Sequence, residues 1–207
     1  MKLFLYSLAI SSKQAQALGN LVGKKPSDIS FALIENAADV VSNAQEWLGG
    51  FRDMLGCAGF NLELVDLRLW RGKQDELRAK LAVKDVIWLG GGNTFYLRWI
   101  LKATGADKII RDVIEDGKVY AGWSAGAVVA GPTLQYFETM DDIEESPEII
   151  WDGLHLTTTV VVPHLDNKDF TMEATIANEQ LRAAGYSTVF LNDHQALIID
   201  GDRQMVV

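Results

Sequence analysis

One serine sits between two glycines in Gly122-Trp123-Ser124-Ala125-Gly126, after the apolar run 118–123 and before the small-residue run 125–131. This G-x-S-x-G pattern falls where a strand gives way to a helix. In that setting a sharp turn lifts a serine hydroxyl clear of a sheet as a nucleophile. Side chains at the flanking positions would collide with adjacent backbone, which favours glycine on both sides. The Ala125 amide, at the start of the following helix, would then point to where an oxyanion forms. Glycine and serine are common, so the bare pattern also fits a plain structural turn. Its strand-to-helix context favours the nucleophile.

A second loop points the same way. The buried-looking strand 85–92 ends in Gly90, Gly91 and Gly92, followed by Asn93 and Thr94. In open α/β sheets ligands bind at the carboxyl ends of strands, and three glycines let backbone approach a reacting group. Gly92 or its neighbour could supply a second oxyanion donor. A phosphate cradle is the rival, but neither G-K-[ST] nor G-x-G-x-x-G follows.

A serine nucleophile needs a base, and the chain has three histidines. His155 enters a strand at its beginning, the wrong end, and His194 follows Asp193 in an ordinary surface context. His164 stands where the β-branched run of "TTTVVVP" finishes, which places it at the strand edge expected for Ser124. Asp193, at the end of the strand "STVFLND", can orient the imidazole. Asp166 is nearer in sequence but reads as a helix cap, with Asn167 and Asp169 competing for that role. The order Ser124, His164, Asp193 differs from the serine–acid–histidine order of α/β-hydrolases, so the elbow is shared without that fold.

The elements that must position these residues follow from periodicity. Strands are expected at 2–9, 29–37, 61–68, 85–92, 118–123, around 157–163 and at 187–193, with a closing hairpin about Asp200-Gly201. Helices are expected at 12–22, 40–59, 73–81, 94–105, 107–117, 125–131 and 169–185. This alternation predicts an α/β fold, a mostly parallel sheet with helices on both faces, in a single catalytic domain over 1–207. The irregular acidic stretch 133–153 reads as a solvated surface loop. The alternative is a flap at the mouth of the site, drawing in a peptide's free α-amino group.

Composition sets the outer limits. At 207 residues, 48% hydrophobic and 23% charged, the chain can bury a real core. A net charge of −9 argues against nucleic acid and anionic membrane as partners. The lone Cys57 excludes an internal disulfide and suits a reducing, cytoplasmic setting. The N-terminal "MKLFLYSLAISS" reads as a strand, not a leader, and no stretch reaches the apolar length of a membrane span. The scattered histidines show no metal-ligand spacing, and no cofactor is expected. Monomer and homodimer both stay open.

Taken together, "GGGNTF" at 90–95, "GWSAGA" at 122–127, Pro132-Thr133 and Pro163-His164 resemble the peptidase E family, the α-aspartyl dipeptidases and their cyanophycin-degrading relatives. The similarity spans roughly residues 3–200. It implies a class I glutamine amidotransferase-like (flavodoxin-like) three-layer sandwich, with serine in place of cysteine at the elbow. It further implies Ser124 as nucleophile, His164 as base, and an oxyanion hole from the Gly92 and Ala125 amides. Where well-known members read "LPEG" this chain reads "LNDH", with Asp193 at the matching place. Members that prefer N-terminal aspartate carry an arginine in the helix after the histidine, and here none occurs between His164 and Arg182. The expectation is a serine exopeptidase of dipeptidase E type acting on short peptides, with Asp-X dipeptides among the candidate substrates. The alternatives are an esterase or acyl hydrolase using the same machinery, or a non-enzymatic relative that binds a small ligand.

Overall fold

A computed structural model describes all 207 residues. The strands are β1 (Lys2–Tyr6), β2 (Ser30–Ile34), β3 (Asn61–Leu64), β4 (Val86–Leu89), β5 (Val119–Trp123), β6 (Thr159–Val162), β7 (Ser187–Phe190), β8 (Ala196–Asp200) and β9 (Arg203–Val206). The helices are α1 (Ser12–Val22), α2 (Ala44–Cys57), α3 (Gln74–Ala82), α4 (Thr94–Thr104), α5 (Ala106–Glu115), α6 (Ala125–Val129) and α7 (Thr171–Ala183). Seven strands form one sheet in the order β3-β2-β4-β5-β1-β8-β9. The first five run parallel, and β8 and β9 close the far edge antiparallel.

Strand side chains alternate between faces, and here each face has its own core. Leu3, Leu5, Ile87 and Leu89 pack with residues of α3, α4, α5 and α6 on one side. Phe4, Tyr6, Phe31 and Trp88 pack with Leu18 of α1 and with Phe51 and Leu55 of α2 on the other. Every residue of β4 and β5 is buried, as expected for strands covered on both faces. The fold is thus the expected mostly parallel α/β arrangement. No helix is long and apolar enough to cross a membrane.

One element of the expected layout differs. β6 and β7 do not extend the main sheet; they form a separate two-stranded parallel pair, in register from Thr159–Ser187 to Val162–Phe190. The reason lies in β8, which takes the free edge of β1 and leaves no central position for them. Val160, Val161 and Val162 instead join the core that also holds Val128 and Val129 of α6. His164 and Asp193 therefore reach the site from outside the sheet that delivers Ser124. A smaller difference is the start of α2: Asn43, at φ 62°, breaks the expected helix 40–59 and delays it to Ala44.

Candidate active site

The elbow is built by close backbone packing. Ser124 follows the last residue of β5 and holds φ 48° and ψ −110°, a strained conformation for a residue with a side chain. Its amide donates to the Tyr6 carbonyl at the end of β1 (3.1 Å), fixing the turn to the neighbouring strand. A methyl group at Gly122 would fall closer than 3.0 Å to the Gly126 carbonyl. One at Gly126 would fall equally close to that of Leu89. The two glycines of the motif are thus required by β5 and β4 pressing against the first turn of α6.

His164 comes two residues after β6, itself at φ 71°. Its Nε2 lies 3.0 Å from Ser124 Oγ, and its Nδ1 lies 2.7 Å from Asp193 Oδ1. With Asp193 ionised, Nδ1 carries the proton and donates it, which leaves Nε2 free to accept from the serine hydroxyl. Parallel register brings the two partners together: the ends of β6 and β7 lie side by side, joined beyond them by Leu191 N–H to the Val162 carbonyl and Leu165 N–H to the Leu191 carbonyl. The structure therefore assembles Ser124, His164 and Asp193 into one hydrogen-bonded chain. His155 and His194 are exposed and take no part in it.

Sequence reasoning missed the residues that hold Asp193. Burial opposes the charge on this carboxylate, but hydrogen bonds from Asn167, His164 and Ser7 outweigh it and keep Asp193 below the ordinary carboxylate range. Asn167 Nδ2 donates to Oδ2 at 2.7 Å and Ser7 Oγ donates to Oδ1 at 3.0 Å. The same Ser7 oxygen accepts the backbone N–H of His164 at 2.8 Å. Asp166 is not the expected helix cap: α7 starts from Phe170 with no side-chain cap, and Asp166 Oδ1 instead accepts the Asp193 amide (3.1 Å) and braces the turn. Gln14, buried on α1, donates to the His194 carbonyl from the far side of that turn (2.7 Å). The signal available for Ser7 was its place just past a strand end, on the edge where Ser124 stands.

The glycine loop faces the serine. A side chain at Gly91 would meet Ser124 Cβ and the Trp123 ring. Gly92, at φ 134°, passes so close to the Ala37 carbonyl that no Cβ fits. The Gly92 and Ala125 amides find no acceptor within the protein. Both residues line the cavity that holds Ser124 and His164, which measures about 660 Å³. Trp47, Phe51 and Met54 of α2 contribute to its wall, together with Trp123, Phe137 and Met140. Phe170 lies across the imidazole, its ring centre 5.1 Å from that of His164.

The acidic stretch 133–153 is not simply a solvated loop. It packs beside the cavity through Phe137, Met140 and Asp141. Asp141 Oδ2 accepts the Thr94 amide (3.0 Å), and the Asp142 carbonyl accepts from Asn93 Nδ2 (2.7 Å), tying the stretch to the glycine loop. Burial pushes the Asp141 carboxyl up to about 6 in spite of the Thr94 bond. The other acidic groups face outward, with Glu148 paired to Lys102. No cluster of side chains suited to holding a metal ion is present.

A parallel sheet presenting a strained serine, with a histidine–carboxylate pair behind it, defines a class of hydrolase-like architecture. Comparison with known proteins narrows it: the model of peptidase family S51 matches residues 11–207, and the chain belongs to that family. An uncharacterized peptidase of Listeria monocytogenes serovar 1/2a is 39% identical over 129 residues, 61% of this chain and 62% of that protein. Peptidase E of a Nostoc species is 29% identical over 73% of this chain and 58% of its own length. The matched stretches thus span less than two thirds of these curated relatives. A crystal structure of a candidate peptidase E from Listeria monocytogenes EGD-e covers 100% of this chain and 97% of its own, with a TM-score of 0.85 and 28% identity.

Proposed function

We propose that the protein is a serine peptidase that hydrolyses short peptides through Ser124, His164 and Asp193. The observation that carries this reading is the continuous hydrogen-bonded chain from Ser124 Oγ through the imidazole to Asp193, inside a cavity. Membership of family S51 supports it. Ser124 Oγ attacks the scissile carbonyl carbon while its proton passes to His164 Nε2. The Gly92 and Ala125 amides receive the negative charge that develops on the carbonyl oxygen. As the C–N bond breaks, the imidazolium gives its proton to the leaving amine, and an acyl group stays on Ser124. Water, deprotonated by the same nitrogen, then releases the acid and restores the serine. Asp193 holds the imidazole in the productive tautomer and stabilises its charged form throughout.

A fluorophosphonate probe tests this directly, with dipeptides and short-chain esters assayed in parallel. Wild-type protein is expected to label at Ser124 and to cleave peptides. The Ser124→Ala protein is expected to lose labelling and to retain at most about one part in 10³–10⁶ of the turnover. Peptidase activity that survives the substitution rejects the reading, and turnover of esters with inert peptides replaces it with an acyl hydrolase.

A further inference from the structure

The cavity is chemically lopsided. Trp47, Phe51 and Met54 project into it from α2, with Trp123 from the end of β5. Trp123 stacks on Phe51 with ring centres 4.0 Å apart and planes 22° apart, and Trp47 meets Trp123 edge-on at 5.4 Å. These rings hold one another in place, so the wall is formed before any ligand arrives. Across the cavity, Phe137 and Met140 continue the apolar lining. The only carboxylate lining it is Asp141, and no lysine or arginine lines it. Arg52, the cation next to Phe51 in sequence, turns away and forks onto Glu35 through Nε and Nη2.

An acidic side chain entering this space would lose water, meet no cation and face a carboxylate of its own sign. Each of these disfavours it. A large apolar side chain would exchange water for three preformed apolar surfaces. We infer, building on the peptidase reading above, that the site selects peptides with a bulky apolar side chain beside the scissile bond, seated on Trp47, Phe51 and Met54, and discriminates against acidic ones.

The test separates binding from turnover. Ser124→Ala protein keeps the cavity without the nucleophile, and Trp47 and Trp123 report its occupancy by fluorescence. It is titrated with X-Ala and Ala-X dipeptides in which X is Phe, Leu or Asp, and the same peptides are offered to wild-type protein. Phe and Leu peptides are expected to bind at least about tenfold more tightly than their Asp counterparts in one of the two series, with neither series reversed. Adding the missing cation by Met54→Arg, at a half-buried position that tolerates a long side chain, is expected to shift the Phe-to-Asp ratio by at least about tenfold toward Asp. Equal or tighter binding of the Asp peptides, no binding by any peptide, or an unmoved ratio in the Met54→Arg protein overturns the inference. Wild-type protein that binds in the expected order but cleaves nothing leaves the pocket's preference standing and rejects the peptidase reading instead.

Discussion

Asp193 keeps its charge because three donors face it, and Asn167, outside the proposed catalytic chain, can be removed without touching the imidazole. Asn167 Nδ2 occupies Oδ2, while His164 and Ser7 share Oδ1. Because the folded-state pKa of Asp193 is depressed, its contribution to stability is fully present above the unfolded carboxylate value. It is lost as pH falls through the folded value. Asn167→Ala removes one cause of that depression, so the folded pKa rises toward the ordinary value. The variant is expected to be about 1.5–3 kcal/mol less stable than wild type at pH 7, the usual range for a hydrogen bond to a charged group. Denaturant melts should show that gap narrowing toward pH 3, where the carboxylate is protonated in the unfolded chain. A gap of equal size at both pH values would mean that Asn167 does not bind an ionised carboxylate. Its effect on kcat is expected to stay well below the roughly 10⁴-fold loss that Asp193→Asn should cause.

At the scale of elements, the glycines divide into those the packing demands and those it merely permits. Gly126 sits against the Leu89 carbonyl, where β4 presses on α6, whereas nothing lies within 4 Å of a Cβ built on Gly49, on the exposed face of α2. Gly126→Ala must therefore push two elements apart, and a loss of at least about 3 kcal/mol is expected. Gly49→Ala should instead gain about 0.5–1 kcal/mol through helix propensity. Equal effects in thermal melts would refute the packing account of the elbow. The acidic stretch makes a second case. Asp141, pushed up to about 6, is protonated in the folded protein at pH values where the unfolded chain is ionised. The sign is thus opposite to that of Asp193: its burial costs stability above pH 6, and the cost fades as pH falls toward 4. Asp141→Asn keeps an acceptor for the Thr94 amide, so it is expected to raise stability by about 1–3 kcal/mol at pH 8 and by little at pH 4. A stabilisation that does not vary with pH would show the carboxyl to be unperturbed. The alternation of β-branched runs with helical periods made β1 to β9 and α1 to α7 legible in the sequence as elements. The stretch 133–153 was not, because one partly buried aspartate among seven acidic residues looks no different from the six that face water.

The molecule as a whole brings Ser124, His164 and Asp193 together across a seam. Ser124 belongs to the seven-stranded sheet, whereas His164 and Asp193 belong to the separate β6–β7 pair. Strand order is invisible to periodicity, so the sequence could place His164 at a strand end but could not say of which sheet. What joins the two bodies is the chain leaving β1. Ala9 N–H donates to the Asp193 carbonyl (2.8 Å), Ser7 N–H donates to that of Gln195 (3.2 Å), and Ser7 Oγ bridges the His164 amide and the Asp193 carboxylate. Ser7 and His164 are 157 residues apart, and a single serine after a strand carries no motif, so only the folded chain reveals the link. We propose Ser7 as a positioning residue: it does not line the cavity, yet its hydrogen bonds tie His164 and Asp193 to the sheet that carries Ser124. Ser7→Ala leaves the buried His164 amide without its acceptor, which should cost about 1–3 kcal/mol of stability. If the seam sets catalytic geometry, kcat and the rate of fluorophosphonate labelling should fall together by about 10–100-fold while KM stays within about threefold of wild type, since loss of an interaction felt at the transition state lowers kcat without weakening ground-state binding. A variant that melts earlier yet labels and turns over at the wild-type rate would show Ser7 to be ordinary structural packing, with the register of His164 on Ser124 maintained by β6 and β7 alone.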